Sequence, residues 1–175
     1  MRPSLLSSAL MGVALALPAV PVSALTIDNF TVDQVLSNSG TGTAKSASTG
    51  SASNIVGGER EIVNTITSNP SNNFLDIIAN GGDNDEYYQK QGKEVVGSSE
   101  VIRDGSDNTV GSNDNGLGGV DFTGGGDFSG LDVVVPFDDP SVDIEFTFTL
   151  SGGGSTASTL SLPGNLNSPQ SFFLA

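Results

Sequence analysis

With 175 residues, 20 acidic and 6 basic side chains, and neither His nor Cys, the chain carries a formal net charge of −14. The missing residue types exclude Ser-His-Asp and Cys-His nucleophilic sites and any His- or thiolate-ligated zinc or haem. The charge excludes a nucleic-acid binder, which needs Lys and Arg to neutralise phosphates, and without Cys no disulfide contributes to the fold.

The first 24 residues read as an export signal. Arg2 gives a small positive start, Leu5 to Leu17 is an uncharged apolar run, Pro18 and Pro21 break a helix, and Val22-Ser23-Ala24 is a small-residue cleavage pattern. The run is too short to span a bilayer, which takes roughly 20 apolar residues. Residues 25–175 then read as one domain, able to bury a moderate core and with no stable membrane insertion once the leader is removed. Losing Arg2 and no acid makes the mature chain more negative still. Acidity spread along the chain disfavours anionic membrane surfaces and suits divalent cations, neutral sugars or plain solubility. An exported chain without Cys points to a bacterial envelope or extracellular setting.

Leu25 to Val35 (LTIDNFTVDQV) roughly alternates apolar and polar residues and reads as a first strand, including the formal glycosylation sequon Asn29-Phe30-Thr31. Residues 37–53 are Ser, Thr, Gly and Ala with one Asn and one charge, Lys45, and read as a long loop or flexible segment. Gly57-Gly58 marks a turn before Glu59 to Thr67 (EREIVNTIT), a strand with Ile62, Asn64 and Ile66 on one face. Glu59 and Arg60 fix its entrance. Asn69-Pro70 and Asn72-Asn73 turn the chain into the strand Phe74 to Ala79, and Gly81-Gly82-Asp83-Asn84 turns it again. Tyr87-Tyr88 and Glu94 to Ile102 continue the sheet, the latter broken at Gly97.

Residues 103–130 are nearly all turn formers and read as a second long loop, with Val120-Asp121-Phe122 as its apolar anchor. Leu131 to Val135 is a strand closed by Pro136, and Asp138-Asp139-Pro140 a type I turn. Val142 to Leu150 (VDIEFTFTL) is the clearest half-buried strand, with Val142, Ile144, Phe146, Phe148 and Leu150 on one face. Ser155 to Leu162 and Ser171 to Leu174 follow. Phe172-Phe173-Leu174-Ala175 forms an apolar ending that either pairs inside a sheet or belongs to a sandwich incomplete at its C-terminus. Short strands, Gly- and Pro-rich turns and no helical period specify an all-β fold, a jelly-roll-like antiparallel β-sandwich.

Candidate chemistry is sparse. Gly92-Lys93 is followed by Glu94 where a phosphate loop needs Ser or Thr. A glycosidase needs only two carboxylates at a set separation, a requirement that 20 acids satisfy too easily to be informative. Oxygen-rich loops better suit Ca²⁺, which takes six to eight oxygen ligands. Asp104-Gly105-Ser106-Asp107-Asn108 and Asn113-Asp114-Asn115-Gly116 supply such a set, with Asp104, Asp107 and Asp114 as the candidate metal ligands. Neither run has EF-hand spacing, and turn formation alone also accounts for these residues. Tyr87 and Tyr88 point to opposite faces of a strand, so at most one serves a sugar-stacking surface.

Three segments then stand together: Ile27-Asp28-Asn29-Phe30, Ile55-Val56-Gly57-Gly58-Glu59-Arg60-Glu61-Ile62, and Gly116-Leu117-Gly118-Gly119-Val120-Asp121-Phe122-Thr123. After a signal peptide, and with Ser158 to Gly164 behind them, they resemble exported bacterial proteins of the PEP-CTERM type. The resemblance implies a sandwich similar to galactose-binding-like and carbohydrate-binding modules, associated with the envelope or exopolysaccharide. It carries over no catalytic residue. The Pro-Glu-Pro, apolar helix and basic tail of that sorting signal are missing after Ala175, which suggests a truncated member. The reading that results is a secreted, non-catalytic structural or adhesive module, in contact with polysaccharide. Its alternatives are a Ca²⁺-dependent lectin-like binder and, less well motivated, a carboxylate-pair glycoside hydrolase.

Overall fold

The computed structural model describes residues 25–80, 85–107, 110–111, 117–123, 125, 129–136, 138–150 and 152–175. The leader, the Gly81 to Asn84 turn and the candidate ligand Asp114 lie outside the described residues. Ten strands are present among those described: β1 (Gln34–Asn38), β2 (Gly42–Thr49), β3 (Glu59–Ser68), β4 (Leu75–Asn80), β5 (Glu86–Gln91), β6 (Val96–Ile102), β7 (Leu131–Val135), β8 (Val142–Thr149), β9 (Ser155–Leu162) and β10 (Gln170–Leu174). All pair antiparallel, in the orders β1-β4-β5, β2-β3-β6, β7-β10 and β8-β9. The fold is all-β and sandwich-like, as the alternation of short strands and turns indicates. Among the described residues no helix is long and apolar enough to cross a membrane.

The first two sheets pack face to face. Leu36 of β1, Ile62 of β3 and Ile77 of β4 meet between them, with Ala44 and Tyr87 at the margin. Ile66, Leu75 and Val95 form a second cluster. Asn64 sits on the same inward face as Ile62 and Ile66. Its Nδ2 donates to the Leu36 carbonyl at 3.3 Å and the Leu75 carbonyl at 3.0 Å, so this buried amide ties β3 to β1 and β4. In the remaining sheets, Val135, Leu162 and Leu166 pack with Val133, Ile144, Leu160 and Phe172.

Several expectations need correction. Residues 37–53 are not a loop: they contain the end of β1 and all of β2, an edge strand along β3. Its half-buried positions are Ala44, Ser46 and Ser48, side chains too small and polar to register as an apolar stripe. The first strand begins at Gln34 rather than Leu25. Before it, Phe30 takes a left-handed φ of 55° in a turn where Asp28 Oδ1 accepts the Phe30 N–H and Asn29 Oδ1 the Thr31 N–H. Gly97 does not break β6. It faces a register shift between Ile66 and Ser68, and a Cβ there would lie 2.4 Å from the Thr65 carbonyl oxygen, so only glycine fits. Asp138 is a buried bridge residue paired with Leu166 rather than a simple surface turn.

Candidate cation site

The segment Ile55 to Ile62 builds the most unusual part of the molecule. Ile55 and Val56 are buried, and Gly57 and Gly58 follow with φ of 78° and 83°. A Cβ on Gly57 would lie 2.9 Å from Gly105 Cα, so the bare glycine lets the segment after β6 press against the start of β3. Glu59, Arg60 and Glu61 are then all at most 1% exposed. Three consecutive buried charges on one strand demand partners on both faces, because an unpaired buried charge is very costly.

Arg60 points between the sheets. Its Nη1 donates to both Asp28 carboxylate oxygens at 3.1 Å, Nε to Gln34 Oε1 at 2.9 Å, and Nη2 to the Val32 carbonyl. Arg103, just past β6, reaches the same Asp28 at 2.6 Å. Phe30 lies 5.6 Å from each guanidinium, a cation–π contact that the left-handed turn makes reachable. Burial pulls Arg103 below its ordinary pKa, and pairing with Asp28 opposes that pull. This cluster fastens residues 28–34 to β3 and to the end of β6. Tyr87, beside Arg103 and tilted against Phe30 at 5.9 Å, closes it.

Glu59 and Glu61 point the other way, onto the outer face of β3. Asp107 and Gly111, beyond β6, lie against them. Glu59 Oε2 accepts the Asp107 N–H at 2.9 Å and Glu61 Oε2 the Gly111 N–H at 2.7 Å. Carboxylate oxygens of Glu59, Glu61 and Asp107 all lie within 4.8 Å of one another. Burial raises the Glu61 pKa, the Gly111 amide opposes it, and repulsion from Asp104, Asp107 and Glu59 raises it further. Among the described residues Glu61 Oε1 has no hydrogen-bond partner, and no Lys or Arg forms an ion pair with Glu61. The Lys45 ammonium donates instead to the Val110 carbonyl at 3.5 Å. That bond ties β2, beside the two from β3, to the chain that follows β6.

Neither the family models, nor the curated proteins, nor the solved structures contain a match to this chain. The assignment therefore rests on the geometry. Of the expected ligands, Asp107 takes part directly and Asp104 adds its field, while Asp114 lies outside the described residues. Sequence reasoning missed Glu59 and Glu61, assigning Glu59 only to a strand entrance. The usable signal was Glu-Arg-Glu on a strand: period two puts both acids on one face and the base on the other. Tyr87 is half-buried against the first core cluster, and Tyr88 donates its hydroxyl to Glu86.

Proposed function

We propose that this chain is an exported, non-catalytic β-sandwich module with a structural or adhesive role outside the cell, in contact with polysaccharide. The observation that carries the reading is the use of its buried charges. Asp28, Arg60 and Arg103 are occupied with one another and with backbone carbonyls, fastening one segment of chain to the next. Such saturated groups suit architecture better than reaction chemistry. Glu59 and Glu61 are close enough for two-carboxylate catalysis, yet they are at most 1% exposed, held against Asp107 and Gly111, and lie out of reach of a glycan.

The test is retention of the mature protein on a panel of immobilised polysaccharides, with reducing ends assayed in the eluate. Retention without new reducing ends is expected. No retention on any glycan would remove the polysaccharide part, and released reducing ends would overturn the non-catalytic part. The clustered carboxylates of Glu59, Glu61 and Asp107 favour a second reading, a Ca²⁺-dependent lectin-like binder, whose retention would vanish with chelator.

A further inference from the structure

We propose that Glu59, Glu61 and Asp107 bind one Ca²⁺ ion, which fastens Asp107 and Gly111 to the outer face of the β2-β3-β6 sheet. The inference does not depend on the function proposed above. Two observations carry it independently. The first is proximity: oxygens in one Ca²⁺ shell lie at most about 5 Å apart, since each sits 2.3–2.6 Å from the ion. The carboxylate oxygens here fall within 4.8 Å of one another. The second is the state of Glu61, which is 0% exposed with Oε1 lacking any hydrogen-bond partner among the described residues. A fully buried carboxylate oxygen among like charges is a large cost unless a proton or a cation neutralises it, and a cation neutralises all three acids at once.

The surroundings fit the same ion. The Asp107 and Gly111 amides each hold one oxygen of a glutamate, which fixes both carboxylates in place. Opposite Glu61 on β2 stands Ala47, and opposite Glu59 stands Thr49, so no bulky side chain crowds the acids from that strand. The donors are oxygens alone, which favours a hard cation over zinc or copper. Ca²⁺ accepts irregular geometry from ligands on separate elements, whereas Mg²⁺ demands near-ideal octahedral geometry.

The experiment is calorimetric titration and thermal melting of the mature protein after chelator treatment, with CaCl₂ and, separately, MgCl₂. One Ca²⁺ per chain is expected, with Tm rising by roughly 5–10 °C at about 100 times Kd. Mg²⁺ at equal concentration should shift Tm less. Glu61→Gln should fold without metal and bind Ca²⁺ more than about 10-fold more weakly, since even outer-sphere partners contribute that much. Asp107→Asn, beyond β6 rather than in the sheet, decides the matter if Glu61→Gln does not fold. Wild-type protein melting at one temperature with and without Ca²⁺ would overturn the proposal. So would either variant binding Ca²⁺ as tightly as wild type, or a response to Mg²⁺ that exceeds the response to Ca²⁺.

Discussion

β3 and β8 show how differently two halves of one chain use the same pleat. β8 (VDIEFTFT) alternates apolar and polar residues without interruption, and its apolar side chains Ile144, Phe146 and Phe148 end only half-buried, with Val142 exposed. β3 begins Glu-Arg-Glu, breaks the alternation, and is buried from Glu59 to Ile62. The contrast is physical. A strand with one solvated face reads as clean alternation, while a strand covered on both faces must satisfy two environments and loses it. β3 is central in its sheet, between β2 and β6, with a core on one side and Asp107 and Gly111 on the other. Among the described residues β8 pairs only with β9. The cores differ more mildly: Ile62, Leu75 and Ile77 are 0% exposed in the first half, whereas Val135, Leu162 and Leu166 of the second keep 9%, 4% and 5%.

The sharpest way to break this comparison is to remove the charge at its centre. Arg60→Ala leaves Asp28 buried with only Arg103, and should cost about 3–5 kcal/mol by urea denaturation. A loss under about 1 kcal/mol would mean that the cluster does not hold residues 28–34. Next come two apolar truncations, one buried and one exposed. Ile77→Ala should cost about 2–5 kcal/mol, while Phe173→Ala should stay within about 0.5 kcal/mol. Equal costs would contradict the burial of Ile77 and the exposure of Phe173.

A smaller effect distinguishes the half-buried tyrosine Tyr87. Desolvation raises the Tyr87 pKa above its ordinary 10.0, so the folded protein keeps the phenol neutral where the unfolded chain ionises it. Stability from this group is complete below pH 10.0 and is lost as pH rises above it towards the raised folded value. In a Tyr88→Phe background, tyrosinate absorbance should therefore appear only together with loss of the β-sheet circular dichroism. Ionisation of Tyr87 at its ordinary pH, ahead of unfolding, would place it outside the core.

Much of the fold was legible because most strands bury one face. β3, β4, β6, β7, β8 and β9 lie close to where alternation and turn residues put them. β2 was not legible, since an edge strand that turns Ala44, Ser46 and Ser48 inward needs no large apolar residue. The site was half legible. Asp107 and Asp104 stood out as oxygen donors in a turn-rich segment, but Glu59 and Glu61 looked like ordinary polar residues of a strand. Their burial depends on Gly57 admitting the backbone at Gly105, a contact 48 residues away in the chain that no local pattern reports. The segment Ile55 to Ile62 thus carried the information as a unit: two glycines for approach, then charges split by the pleat.

That split is tested most directly by amide hydrogen exchange of the Asp107 and Gly111 N–H groups, with Ca²⁺ and after chelation. Both donate to the buried glutamates, so Ca²⁺ should slow their exchange by about 10-fold or more. The Leu36 and Ile77 amides, on the opposite side of β3, should change far less. Exchange at Asp107 and Gly111 that is the same with and without Ca²⁺ would contradict the account.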